Sequence, residues 1–108
     1  MVNFIRKIFG GVPAADVTKL LAEGAVVLDV RTKNEFKTGH VKGAVNIPLN
    51  QLNSPAKLKQ IKAYGKPIVT CCVSGSRSSS AARLLRAKGI DAHNGGPWTT
   101  VRGMKRRG

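Results

Sequence analysis

The stretch Ile68-Val69-Thr70-Cys71-Cys72-Val73-Ser74-Gly75-Ser76-Arg77-Ser78-Ser79 decides how this chain is read. A β-branched run ends on a cysteine, and a loop of small residues with one arginine follows. An amphipathic pattern then opens at Ser80-Ala81-Ala82-Arg83-Leu84-Leu85. Taken as strand, loop and helix, this order places a thiol at the carboxyl end of the strand, facing a helix N-terminus. Backbone N–H groups are unpaired there and the helix dipole is positive, so an anion or a thiolate is stabilised. A cysteine in such a place has a lowered pKa and is nucleophilic at neutral pH.

Working outward from this stretch, Pro13 to Glu23 carries Val17, Leu20 and Leu21 on one helical face, with Gly24 as terminator. Ala25 to Val30 is a continuous apolar run broken only by Asp29, as expected of a strand buried on both faces of a parallel sheet. Lys33 to Lys37 reads as a short helical turn, Gly43 to Pro48 as a second strand, and Leu52 to Tyr64 as a lysine-rich helix capped at Asn53 or Ser54. Pro67 to Cys72 is a third strand, Ser78 to Lys88 a helix, and Ile90 to His93 a last strand. A turn at Gly95-Gly96-Pro97 leads to a final helix including Val101 and Met104. Alternating strands and helices predict an α/β domain: an open, mainly parallel sheet of about five strands with helices on both faces. Ligands in such sheets bind beyond the carboxyl ends of the strands, where Cys72 falls. Residues 1–12 read as a basic amphipathic leader, 13–104 as one domain, and 105–108 as a basic tail.

The 108 residues suffice for one sizeable core. Nineteen Lys and Arg oppose five carboxylates, a net charge of +14, so the surface field draws anions such as thiosulfate, phosphate esters or nucleic acid. No basic groove studded with aromatics supports nucleic acid, and an acidic protein is the other partner such a charge suits. The carboxylates (Asp16, Glu23, Asp29, Glu35, Asp91) are scattered, which leaves paired-acid chemistry little to stand on. His40 and His93 lack metal-ligand spacing with the cysteines, so neither a metal nor another cofactor is expected. Adjacent Cys71 and Cys72 do not suit disulfide geometry, and free thiols point to a reducing compartment, the cytoplasm. No apolar run approaches the ~20 residues of a membrane span. Phe4, Ile5, Ile8 and Phe9, interleaved with Arg6 and Lys7, would allow contact with a membrane surface.

Four motifs in register resemble the rhodanese-like family: Leu28-Asp29-Val30-Arg31; Glu35-Phe36 with Gly39-His40-Val41-Lys42-Gly43-Ala44-Val45-Asn46-Ile47-Pro48; Cys72-x-x-Gly75-x-Arg77-Ser78; and Gly95-Gly96 followed by Trp98. The resemblance implies a sulfurtransferase. Cys72 would take the outer sulfur of thiosulfate or of a persulfide donor, and a thiol or cyanide would remove it. The loop residues Val73, Ser74, Gly75, Ser76, Arg77 and Ser78 would form an anion nest, their small side chains letting amides turn inward. Asp29 and Arg31 are expected to order the strand end. Arg77 either bonds loop carbonyls or contacts a sulfonate. His40 and Trp98 are expected in structural roles. Neutral Val73 stands where a cation would favour a dianionic donor, so modest thiosulfate activity is expected, with a persulfide or small thiol as the natural partner.

Two other readings stay open. Counted from Cys71, the loop is Cys-x5-Arg, the frame of related phosphatases and arsenate reductases; counted from Cys72 it is the shorter Cys-x4-Arg. Thr70 stands where the phosphatase signature has a histidine, which favours Cys72. Strand alternation sends the two side chains to opposite sides, so Cys71 fills core or acts as a resolving thiol. A non-catalytic sulfur carrier or binding module is the third reading.

Overall fold

A computed structural model describes residues 14–107. The expected leader and the membrane contact of residues 3–9 lie outside the described residues. The order of elements is α1 (Ala14–Ala22), β1 (Val26–Asp29), α2 (Lys33–Lys37), β2 (Val45–Asn46), a 3-10 turn (Leu49–Gln51), α3 (Pro55–Ala63), β3 (Ile68–Cys72), α4 (Ser76–Ala87), β4 (Ala92–Pro97) and α5 (Trp98–Arg107). The strands pair in parallel in the order β2-β1-β3-β4. The sheet therefore has four strands rather than about five: each crossover helix returns the chain to the same sheet, and no further described segment pairs with it.

Central β3 is buried along its whole length, and its alternation sorts the core into two layers. Ile68 and Cys72 pack on one face with Leu28, Leu52, Ile61, Ala81, Ala82 and Leu85, under α3 and α4. Val69 and Cys71 pack on the other with Val17, Leu21, Val27, Val101 and Met104, under α1 and α5. Caps set the helix starts. Thr32 and Glu35 form a reciprocal capping box on α2, and the Ser54 hydroxyl accepts from Lys57 N ahead of Pro55 on α3.

Three boundaries differ from the sequence expectation. Helix α4 begins at Ser76, two residues early, because Gly75 caps it at φ 100°, a conformation that costs only glycine nothing. Strand β4 continues through Gly95, Gly96 and Pro97, where the sequence predicts a turn. Thr70 pairs with Asn94 but Cys71 with Gly96, so Gly95 is the extra residue of a bulge. A Cβ on Gly95 would sit 2.7 Å from Val69 and Val101 and 2.9 Å from the Thr70 carbonyl, so no side chain fits there. Finally, α5 runs to Arg107, and Lys105 Nζ donates to the Lys42 carbonyl at 2.8 Å, so residues 105–107 of the expected tail form its last turn, and Gly108 lies outside the described residues.

Candidate active site

The carboxyl end of β3 and the first turn of α4 enclose the Cys72 sulfur. Gly75 N–H donates to Sγ at 3.0 Å and Ser78 N–H at 3.3 Å. Ser78 Oγ lies 3.4 Å from Sγ. These donors exist because the chain turns sharply at Gly75 and the opening amides of α4 have no carbonyl behind them. Burial works against ionisation, yet the Ser78 hydroxyl and the amides of Ser78, Gly75 and Arg77 together outweigh it and bring the Cys72 thiol below its ordinary range.

Cys71, one residue earlier, has no such partners. Its side chain lies in the opposite layer beside Val69, Val101 and Met104. Burial pushes its thiol well up, with the Asp29 carboxylate adding to the effect. A Cys-x5-Arg cradle would need this sulfur to face the loop, and it faces α1 and α5 instead.

The rest of the expected loop divides by role. Val73 is 52% exposed and Ser74 and Ser76 are exposed, so these three form the outer crown over the covered sulfur. Ser74 Oγ accepts from Ser76 N–H at 3.3 Å. Arg77 is engaged by a carboxylate of another helix rather than by a loop carbonyl. Its guanidinium forks onto the Glu35 carboxylate at 2.8 and 3.0 Å, tying the first turn of α4 to α2. That contact, with the Thr32 cap, holds the Glu35 carboxyl down to about 2.

Asp29 and Arg31 form a separate, buried fork. Arg31 Nε and Nη2 reach the Asp29 carboxylate at 2.7–3.0 Å. The same guanidinium donates to the carbonyls of Gly39 at 2.7 Å and Glu35 at 3.3 Å, and lies 4.7 Å from the Trp98 ring centroid. Arg102 covers Trp98 at 4.8 Å. The Asp29–Arg31 pair thus fastens the end of β1 to α2 and the 38–44 segment and makes no bond to the Cys72 loop. His40 stacks on Phe36 at 3.7 Å, and its Nδ1 is 2.8 Å from the Phe36 carbonyl.

Sequence reasoning missed two residues of the site. Glu35 stands in the sequence only as part of the Glu35-Phe36 motif and in the local pattern Thr32-x-x-Glu35, neither of which points to Arg77, 42 positions away. Asn94 had no signal beyond preceding Gly95-Gly96. Its Oδ1 accepts from Ser78 Oγ at 2.7 Å and from Gly96 N–H at 2.9 Å.

Among the described residues no cluster of three or more His, Cys, Asp or Glu is close enough to hold a metal ion, and no helix is long and apolar enough to cross a membrane. Beside the loop, Val30, Thr32, Pro48, Leu49, Asn50 and Arg77 line a groove of about 330 Å³.

The model of the rhodanese-like domain matches residues 13–96. The chain is 43% identical over 65 residues to the uncharacterised protein YqhL of Bacillus subtilis, covering 60% of this chain and 49% of that one. It is 34% identical over 86 residues to the human thiosulfate:glutathione sulfurtransferase, covering 68% of this chain and 75% of that one. The human single-domain sulfurtransferase TSTD1 superposes with a TM-score of 0.62 at 31% identity, over 81% of this chain and 89% of that structure. Against the first relatives matched, this chain spans from about a fifth to just over half of their length. The four-stranded parallel sheet, the loop after β3 and the match to residues 13–96 agree: the chain belongs to the rhodanese-like domain family.

Proposed function

We propose that the chain is a sulfurtransferase that carries sulfane sulfur on Cys72. The observation that supports this most is the pair of loop amides that donate to Sγ at 3.0 and 3.3 Å, with the Ser78 hydroxyl 3.4 Å away and able to turn to it, which stabilise a sulfur anion without a general base. In the first half-reaction the Cys72 thiolate attacks the outer sulfur of thiosulfate. The donor S–S bond breaks, sulfite leaves with its electron pair, and a persulfide forms on Sγ. In the second, a thiolate or cyanide attacks the terminal sulfur, the persulfide bond breaks, and the Cys72 thiolate returns. A persulfide donor enters by the same displacement, with its thiolate as leaving group. The donor reaches the covered sulfur past the exposed Val73–Ser74 crown, and the groove beside Arg77 receives the organic part of a thiol acceptor.

Kinship with a thiosulfate:glutathione sulfurtransferase supports thiosulfate and a small thiol as the pair to test first. The test is steady-state kinetics with donor and acceptor varied together. Parallel double-reciprocal lines, with activity absent in Cys72→Ser, are expected of the two-step cycle. Turnover retained in Cys72→Ser would remove the proposal.

A further inference from the structure

We infer that Asn94 is a positioning residue for Cys72: its side-chain carbonyl holds the Ser78 hydroxyl proton while the sulfur is a thiol, and releases it when the sulfur is a thiolate. The inference rests on the nucleophilic role proposed for Cys72. A hydroxyl has one proton, and Ser78 Oγ has two neighbours that compete for it, Sγ at 3.4 Å and Asn94 Oδ1 at 2.7 Å. With the sulfur protonated, the carbonyl is the stronger acceptor, and the Cys72 S–H donates to Ser78 Oγ. On ionisation the thiol proton leaves to solvent and full charge appears on Sγ. A charge-assisted bond is about twice as strong as a neutral one, so the hydroxyl turns to the sulfur.

The turn costs little because Asn94 Oδ1 keeps a second donor, Gly96 N–H at 2.9 Å, and is never orphaned. Two contacts fix the amide's orientation: only the oxygen can accept from Gly96 N–H, and Nδ2 donates to the Gly75 carbonyl at 3.4 Å. The Gly95 bulge keeps Asn94 in register with Thr70 while Gly96 closes on Cys71. Thr70 Oγ1 donates to the Ser78 carbonyl at 2.8 Å, so the Ser78 backbone is held while its hydroxyl rotates. The other charged groups around the sulfur are already paired: Arg77 of α4 with Glu35 of α2, and Asp29 of β1 with Arg31 beyond it. His93 of β4 bonds Asp91, Cys71 of β3 faces the opposite layer, and α3 presents Leu58 and Ile61.

The test follows the pH dependence of Cys72 alkylation by iodoacetamide in the full chain, with the site read by peptide mapping. Asn94→Asp keeps the acceptor and charges it, so it holds the Ser78 proton; the midpoint is expected to rise by about one pH unit, an alkylation about tenfold slower below both midpoints. Asn94→Ala removes the competitor, so the midpoint stays or falls. In a Ser78→Ala background the Asn94→Asp shift is expected to shrink by at least about half, leaving only the direct effect of the charge. Both Asn94 variants raising the midpoint alike would overturn the inference, and so would an undiminished shift without Ser78 or no shift in Asn94→Asp. Persulfide loading, scored separately by mass, tests the sulfurtransferase reading alone; midpoints that move as expected in a chain that never loads sulfur would sink that reading and leave the relay standing.

Discussion

Cys71 and Cys72 are neighbours on one strand, both are fully buried, and their environments drive them in opposite directions. Alternation along β3 turns Cys71 into an apolar layer, where the charged form has no partner and the thiol is held neutral. It turns Cys72 toward the start of α4, where amides and a hydroxyl accept the cost of burial and reverse its effect. Burial by itself therefore says nothing about reactivity; the donors at the buried atom decide it. Each cysteine also has an arginine–carboxylate fork on its side. Asp29, in register with Cys71, pairs with Arg31 out of water, whereas Arg77, from the Cys72 loop, pairs with Glu35 at about one-third exposure.

The largest expected contrast is chemical. Cys72→Ser is expected to abolish sulfur loading and Cys71→Ala to keep most of it, because the Cys71 side chain packs in the layer opposite the loop; loss of loading in Cys71→Ala with the fold intact would reverse the assignment. Next comes stability. Asp29→Ala strands the Arg31 guanidinium without its counter-charge inside the fold, and a loss of about 3–5 kcal/mol is expected from denaturant titration. A loss under about 1 kcal/mol would mean that water reaches the pair.

The pH contrast is smaller in energy but direct. Alkylation of Cys72 rises with pH to a midpoint below the ordinary thiol range, and Cys71 stays unmodified until the chain unfolds. Equal labelling of both in the native chain would erase the distinction. Smallest is Glu35→Gln. Its fork is part exposed, so the stability loss is expected at about 0.2–1 kcal/mol. Because the folded Glu35 pKa, about 2, lies below its ordinary 4.5, the contribution is complete above about pH 4.5 and fades as pH falls toward 2. Wild type and Glu35→Gln should therefore converge in stability near pH 2, and a gap unchanged at that pH would exclude the ion pair as its source.

What the sequence made legible follows the range of the interactions. The run Ile68–Cys72, the small-residue loop and the amphipathic start of α4 are local patterns, and they located both the sheet and the sulfur's donors before any contact was known. The cap ahead of Pro55 was legible for the same reason, down to Asn53 or Ser54, of which the structure uses Ser54. The bulge at Gly95 was not. Gly-Gly-Pro signals a turn, and only the closeness of Val69 and Val101 explains why a glycine lies inside a strand. Arg77 was visible as a loop residue, but its partner Glu35 sits 42 positions away on another helix. Asn94 shows the same limit, since its bond to Ser78 Oγ spans 16 positions and exists only once β4 lies beside the start of α4.

The central claim is that the sulfur-bearing atom is Cys72 Sγ. Intact-mass spectrometry of the reduced, desalted chain after exposure to thiosulfate or a persulfide donor, followed by peptide mapping, addresses it directly. The account predicts a gain of about 32 Da, one sulfur atom, mapped to Cys72 and discharged by cyanide. A sulfur adduct on Cys71, or no adduct from either donor on a folded chain with a titratable Cys72 thiol, would contradict it.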